Sequence, residues 1–475
     1  MRTLAPLLVL LFVSTTLSAG PNKAVERALE RAVAAAPGSA KLAVAVETPQ
    51  GEVLYRRQAS EALVPASNMK LLTSAAALEL LGAGFEHETR LSLLGERSGA
   101  VHRGDLWLLG GGDPTISRRF DKDPLLSDWV AGLVKAGVKR IEGDLILEDR
   151  VFDAVRLHPA WEPADFEHWY GAEISGLTLN DNCVDVTVAG GAKPRVSCAP
   201  ESAYLRIQHQ AQAVSSRKAH RFGLVRVGED KRTLRLSGKV WTKAGGYTTS
   251  VPVADPAMWF GAVLAARLEA AGVELTGVVR RPRAQERYDY RRGFSVWLRK
   301  SPLPRTLAVL NQRSQNLYAE CLLKTLGRRD AEGRLTQQGS WPRGAAVIER
   351  YAQAQVGIAA GEVKVSDGSG LSRDNRLSAR ALCAVLRRAL SLPSGQVYRE
   401  SLAQPGEQGT LRRRLRGLPK GVEVRAKTGT LTGVSALSGE LRKGERVVVF
   451  SLIMNGRGTS RRHLDRILQA LAEAL

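Results

Sequence analysis

Cysteine is scarce in this chain: four residues in 475, Cys183, Cys198, Cys321 and Cys383. That excludes a disulfide miniprotein, since a chain of this length coheres by burying apolar surface rather than by cross-links. Cys183 and Cys198 flank a short glycine-bearing link between two strand-like runs, which allows a bridge there without fixing the pairing; Cys321 and Cys383 sit in helical patterns and read as buried thiols. Histidine is sparse too, seven in all, and no Cys or His spacing resembles a metal site. Neither a metal nor another cofactor is expected. Beyond the N-terminal segment no stretch is long and apolar enough to span a bilayer. Acidic residues are in deficit, 47 against 69 Lys and Arg, which leaves a net charge of +22. The arginines are scattered through every segment rather than gathered in blocks. Such a balance favours polyanionic surroundings: nucleic acid, anionic lipid heads or acidic wall polymers.

What is present is ample material for a core. Hydrophobic residues make up 44% and charged residues 24%, which excludes a disordered chain, and the 46 glycines and 20 prolines are spread out. At roughly 100–200 residues per domain, two to four domains are expected. The N-terminus decides the compartment. Arg2 precedes an apolar stretch from Leu4 to Val13, and Ser14 to Gly20 is mostly small residues, the layout of a secretory signal over residues 1–20. The protein is therefore expected outside the cytoplasm, in the periplasm or cell envelope. Nucleic acid drops out as a partner, and the basic surface is left to meet an anionic wall or membrane surface.

Helical spacing over Ala24–Ala35 is followed by a hairpin, Lys41–Glu47 and Gly51–Arg56, turning at Thr48-Pro49-Gln50, and then by an Ala/Leu-rich helix from Ser67 to Leu81. Near the other end, Val422–Lys427, Val434–Leu441 and Val447–Met454 read as three strands before a closing amphipathic helix, Arg461–Leu475. Two strands early and three late predict one five-stranded antiparallel sheet with helices on both faces, built from both ends of the chain. Between Glu86 and Tyr290 the texture changes to short glycine-punctuated strands, Ile174–Val188 among them, with two helices. The fold class is thus α+β: a first part over 21–85, an α+β insert of two lobes over 86–290, and a second part over 291–475.

Three short constellations carry chemistry. Ser67-Asn68-Met69-Lys70 opens an apolar helix, and a spacing of three puts hydroxyl and amine on one face. A serine at a helix start gains from the dipole, and a desolvated lysine titrates low enough to act as a base. Ser314-Gln315-Asn316 lies in a helix expected to run from Leu307 to Leu326, and Lys427-Thr428-Gly429-Thr430 ends a strand. A second hydroxyl can relay a proton, an amide can hold a substrate backbone, and a lysine on an edge strand can receive a carboxylate. Ser-x-x-Lys, Ser-x-Asn and Lys-Thr-Gly in that order form the signature of penicillin-binding proteins and class A β-lactamases.

On these motifs the sequence resembles the low-molecular-mass class C penicillin-binding proteins of the D-alanyl-D-alanine carboxypeptidase/endopeptidase type. The resemblance extends to Gly110–Pro114, Asp255-Pro256-Ala257, Ser314–Glu320, Asp367–Arg373, Gly409-Thr410-Leu411 and Lys427–Gly439, and so spans the mature chain. It implies a penicillin-binding domain related to serine β-lactamases, interrupted by a two-lobed insert. It also implies a serine D,D-peptidase acting on peptidoglycan stem peptides, with β-lactams as covalent inhibitors. By motif, Ser67 would be the acylated nucleophile and Lys70 its base. Ser314 and Lys427 would complete the proton network, and Asn316 would bind the substrate amide. Thr428 with Lys427 would hold the terminal carboxylate, and the N–H groups of Ser67 and Thr430 would form the oxyanion hole. Gly429 belongs to the same substrate-binding run. Asp165 falls where the family places an insert carboxylate that meets the amino group of the stem diamino acid; Asp153, Glu162 and Glu167 could serve equally. Gln315 departs from the Asp that is common there. No glutamate stands in a class A β-lactamase setting for activating water, so penicillin is expected to stay on Ser67. Two other readings stand beside this one: a β-lactamase or esterase on the same fold, and a silent wall-binding protein.

Overall fold

Along Ala40–Glu47 (β1) the side chains sort into two kinds, Leu42, Val44 and Val46 facing one way and Ala43 and Ala45 the other. A strand imposes that period of two. In this computed structural model, which describes residues 23–119, 126–289 and 291–475, β1 pairs with Val53–Arg57 (β2) through a turn closed by Gly51 N–H on the Thr48 carbonyl at 2.9 Å. The expected signal segment lies outside the described residues. Val422–Leu431 (β3), Val434–Lys443 (β4) and Arg446–Gly456 (β5) complete an antiparallel sheet in the order β3-β4-β5-β1-β2. The five-stranded sheet built from both chain ends is therefore present, with β3 on its edge.

Around this sheet run, among others, α1 (Lys23–Ala34), α2 (Met69–Leu81), α3 (Leu303–Gln312), α4 (Asn316–Leu326), α5 (Trp341–Ala354), α6 (Ala379–Ser391) and α7 (Arg461–Ala474). The face carrying Leu42, Val44, Leu437 and Phe450 receives α1 and α7, whose Val25, Leu29, Leu464 and Leu468 are buried against it. The alanine-lined face, with Ala43, Ala45 and Ala436, receives α6, and α2 packs against α6 in the same core. Short side chains there let the α6 backbone come close, and α2 is enclosed from Met69 to Leu78, its buried Lys70, Thr73 and Ser74 included.

Between Glu86 and Pro302 the chain builds other sheets. Glu86–Ser98, Val101–Leu109 and Gly293–Pro302 are antiparallel neighbours in a seven-stranded sheet, so strand structure of that sheet continues past residue 290 and the chain turns into α3 at Leu303. A three-stranded and a four-stranded sheet lie in the same stretch.

Two expectations are corrected, and the cysteine pairing left open by the sequence is not formed. The run Ile174–Val188 is strand only from Cys183, because Asn180, Asp181 and Asn182 all take positive φ and form a tight turn instead. All four cysteines are free thiols. Register explains why Cys183 and Cys198 do not bridge: Cys198 stands opposite Val186, while Cys183 pairs with Pro252 on the other side. The single helix expected across Leu307–Leu326 is two, α3 and α4, separated at Ser314, whose φ is 61°. The last carbonyl of α3, that of Gln312, is taken by the N–H of Thr410 at 2.9 Å, a tertiary partner that periodicity does not reveal. No helix among the described residues is long and apolar enough to cross a membrane.

Candidate active site

Ser67 occupies a single 3₁₀ turn, Ala66–Asn68, leading into α2. Ala66 is at φ 46°, a left-handed conformation that a non-glycine residue keeps only when its surroundings enforce it. The surroundings do so. The Asn68 amide donates to Ser438 Oγ of β4 at 2.7 Å, and the Asn455 side chain of β5 clasps both the N–H and the carbonyl of Val64 at 3.0 Å. Gly429 lies against the same turn: a Cβ there would sit 2.8 Å from the Pro65 carbonyl and 3.2 Å from Ala66 Cβ, so β3 passes this close only as glycine.

One turn on, Lys70 is fully buried. Its Nζ lies 3.1 Å from Ser67 Oγ, 2.7 Å from Asn316 Oδ1 and 2.7 Å from the Ser369 carbonyl. Burial lowers its pKa to about 7, against the raising fields of Glu320 and Asp367. Lys427, equally buried on β3, donates to Ser314 Oγ at 2.8 Å and to the Thr428 carbonyl at 2.7 Å. Its pKa is also held down, first by burial and then by Lys70. The break between α3 and α4 is what aims Ser314 at Lys427 while Asn316, opening α4, reaches Lys70. The other end of the Asn316 amide donates to the Tyr170 carbonyl at 2.9 Å.

Ser67, Ser314, Asn316, Thr428 and Thr430 line one cleft of about 670 Å³, with Lys70, Lys427 and Gly429 behind its wall. The opposite wall comes from the segment around Glu162, Asp165, Trp169 and Tyr170. Of the four carboxylates weighed from sequence, Asp153 is paired with Lys324 at 2.7 Å and Glu167 faces Arg226 at 3.4 Å, both outside the cleft lining. Glu162 lines it but meets Arg373 at 3.3 Å. Asp165 lines it beside the Tyr170 phenol, its carboxyl pushed up chiefly by burial. Gln315 points away, donating to the buried Asp181 at 2.8 Å. An Asp at that position would set a second carboxylate against Asp181, which accounts for the amide.

Sequence reasoning singled out neither the cleft arginines, Arg313, Arg373, Arg414 and Arg461, nor Thr410. Arg373 and Thr410 lie inside the runs Asp367–Arg373 and Gly409–Leu411, but an arginine in a chain with so many basic residues carries no local signal. Arg373 spans the cleft mouth, from Glu162 to the Thr432 carbonyl at 3.1 Å.

A hydroxyl beside a buried low-pKa amine, backed by a second hydroxyl–lysine pair and set at the edge of a five-stranded sheet, defines a serine hydrolase that works by acyl transfer. Residues 25–475 match the D-Ala-D-Ala carboxypeptidase 3 (S13) family, and the chain belongs to that family. It is a serine D,D-peptidase of the low-molecular-mass class C penicillin-binding group. Among its relatives, a D-alanyl-D-alanine carboxypeptidase of an Actinomadura species is 34% identical over 436 residues, covering 88% of this chain and 78% of the relative. The D-alanyl-D-alanine carboxypeptidase DacB of Haemophilus influenzae is 26% identical over 424 residues, 88% of this chain and 85% of that one. In fold, the chain is similar to penicillin binding protein 4 from Haemophilus influenzae, with a TM-score of 0.78 at 23% identity over 94% of this chain and 98% of that one. A predatory endopeptidase from Bdellovibrio bacteriovorus shares the architecture at a TM-score of 0.54 and 12% identity, over 91% and 93% of the two chains.

Proposed function

We propose that this enzyme cleaves the D-alanyl-D-alanine bond of peptidoglycan stem peptides through an acyl-enzyme on Ser67. The observation that carries this reading is the 3.1 Å approach of the buried Lys70 amine to Ser67 Oγ inside the cleft. Lys70, neutral above about pH 7, takes the Ser67 proton as Oγ attacks the carbonyl of the penultimate D-alanine. The oxyanion is met by the N–H groups of Ser67 and Thr430. Through Ser314, paired with Lys427, the proton taken by Lys70 is relayed to the departing amine, which leaves Lys70 neutral again, and Asn316 holds the substrate amide. Lys427 and Thr428 receive the terminal carboxylate, with Thr430 beside them and Gly429 keeping β3 close. Water then hydrolyses the ester, returning the proton to Ser67. The residues and the family also fit slow, covalent capture of β-lactams, export past the signal segment to the cell envelope, and a division into a catalytic unit and an insert.

The test is intact-mass spectrometry after incubation with benzylpenicillin, with peptide mapping. An adduct that persists for many minutes on the peptide bearing Ser67 is expected. An adduct elsewhere would move the nucleophile, and one lost within seconds would make the enzyme a β-lactamase.

Asp165 is assigned the amino group of the stem diamino acid. A hydrogen bond to a charged group contributes about 1.5–3 kcal/mol, so Asp165→Asn is expected to lower kcat/KM by ~10- to 100-fold for stems with a free side-chain amine. Stems whose amine is acetylated should be cleaved equally by both proteins. Equal losses on both substrates would remove the role.

A further inference from the structure

One face of α4 carries Asn316, Glu320 and Lys324 at helical spacing, all buried. Each reaches a different part of the molecule. Asn316 joins Lys70 to the Tyr170 carbonyl; Lys324 donates to Asp153 and to the Val155 carbonyl, at 2.7 and 2.6 Å. Glu320 lies between them. Its Oε1 accepts the N–H of Ser369 at 2.8 Å, and its Oε2 accepts the N–H of Gly368 at 3.0 Å and the indole Nε1–H of Trp341 at 2.8 Å. The residue so gripped by its N–H, Ser369, presents its carbonyl, in the following peptide, 2.7 Å from Lys70 Nζ.

A carboxylate taken fully out of water is costly unless its lone pairs are met. Here three N–H donors meet them, and no role in the reaction described above uses it. We infer that Glu320 is a positioning residue for acylation: its carboxylate anchors Ser369, the loop residue whose carbonyl grips Lys70, and places an acidic group behind the Lys70 ammonium. This rests on Lys70 being the base.

The charges around Lys70 are few. Glu320 from α4 and Asp367 from the loop raise its pKa, Glu320 more strongly, while Lys427 from β3 opposes them. Asp367 is itself satisfied by Trp161 Nε1, Asn375 Nδ2 and the N–H groups of Gly370 and Ser372. On the far side of Glu320, Lys324 is balanced by Asp153. Burial, with the neighbouring Asp367 adding to it, brings the Glu320 pKa up to about 7 against the opposing pull of its donors. Its charge is therefore sensitive to the loss of a single donor.

The experiment is the second-order rate of acylation by benzylpenicillin from pH 5 to 9, for the wild-type enzyme, Glu320→Gln and Trp341→Phe, with circular dichroism to establish folding. Glu320→Gln removes the negative charge, so the midpoint of the acid limb should fall by about one pH unit. Trp341→Phe removes one donor and leaves the carboxylate less readily ionised, so its midpoint should move the same way by less. A role confined to packing would lower the plateau without moving the midpoint. A wild-type limb that neither folded variant moves overturns the inference alone; a wild-type profile with no acid limb overturns Lys70 as base and this inference with it. If Glu320→Gln does not fold, Trp341→Phe decides.

Discussion

Ser67→Ala and Lys70→Met are each expected to reduce kcat/KM on a D-alanyl-D-alanine stem peptide by ~10⁴ or more, and the double variant is expected to be no worse than either. The reason is geometric. In the proposed mechanism the Lys70 amine serves the hydroxyl 3.1 Å away, so once the hydroxyl is gone the amine has nothing left to accelerate. Without the amine, Oγ keeps its proton at neutral pH and is a poor nucleophile. The residual rate comes from the rest of the cleft, which holds the peptide and polarises its carbonyl in all three proteins. The pH dependence has a definite sign. With the Lys70 pKa brought down to about 7, the amine form grows as pH rises, so acylation should climb through neutrality and lose about tenfold per unit well below it. Steady-state kinetics on the three variants checks the first claim. Multiplicative losses in the double variant would mean that the two residues act independently and that another group deprotonates Ser67.

Much of this site is legible in the sequence because its chemistry is local. Ser67 and Lys70 are three residues apart, Ser314 and Asn316 two, and the Lys427–Thr430 run is contiguous, so each pair is placed by the geometry of one turn or one strand. Alternation in Lys41–Glu47 and Val434–Leu441 likewise exposes the sheet, since a period of two survives without tertiary information. What resists reading is whatever a distant partner decides. Nothing between Asn311 and Asn316 breaks a helix, yet α3 stops because Thr410, almost a hundred residues on, takes the Gln312 carbonyl. Ser314 thereby leaves the helix face expected for it and enters the left-handed region. Spacing alone offers Glu320 the lysine four residues on, yet Lys324 goes to Asp153 and the three donors of Glu320 come from positions 341, 368 and 369. The unformed bridge between Cys183 and Cys198 is the same lesson in register, which neighbouring strands fix.

Gly370→Ala should be severely damaging for a single added methyl. Gly370 sits at φ +82°, where a Cβ costs about 1–2 kcal/mol on conformational grounds alone. That Cβ would also fall 1.9 Å from the Ala66 carbonyl oxygen and 2.5 Å from its carbon. Both are backbone atoms of the turn that carries Ser67, so no side chain can swing aside. Relief requires the loop 367–373 and the Ser67 turn to separate, and the Ser369 carbonyl, bonded to Lys70, lies on that loop. Overpacking of this kind adds about 1–3 kcal/mol, so a total near 3 kcal/mol or more is expected in urea unfolding. Acylation by benzylpenicillin should fall by ~10²-fold in the fraction that remains folded, since displacement of reacting groups by about an ångström costs that much. Gly82 supplies the control: its φ is +85° but nothing lies within 4 Å of the added Cβ, so Gly82→Ala should show the conformational cost without the loss of acylation. Equal behaviour of the two variants would mean that the loop and the Ser67 turn tolerate separation, and that Lys70 does not depend on the Ser369 carbonyl for its place.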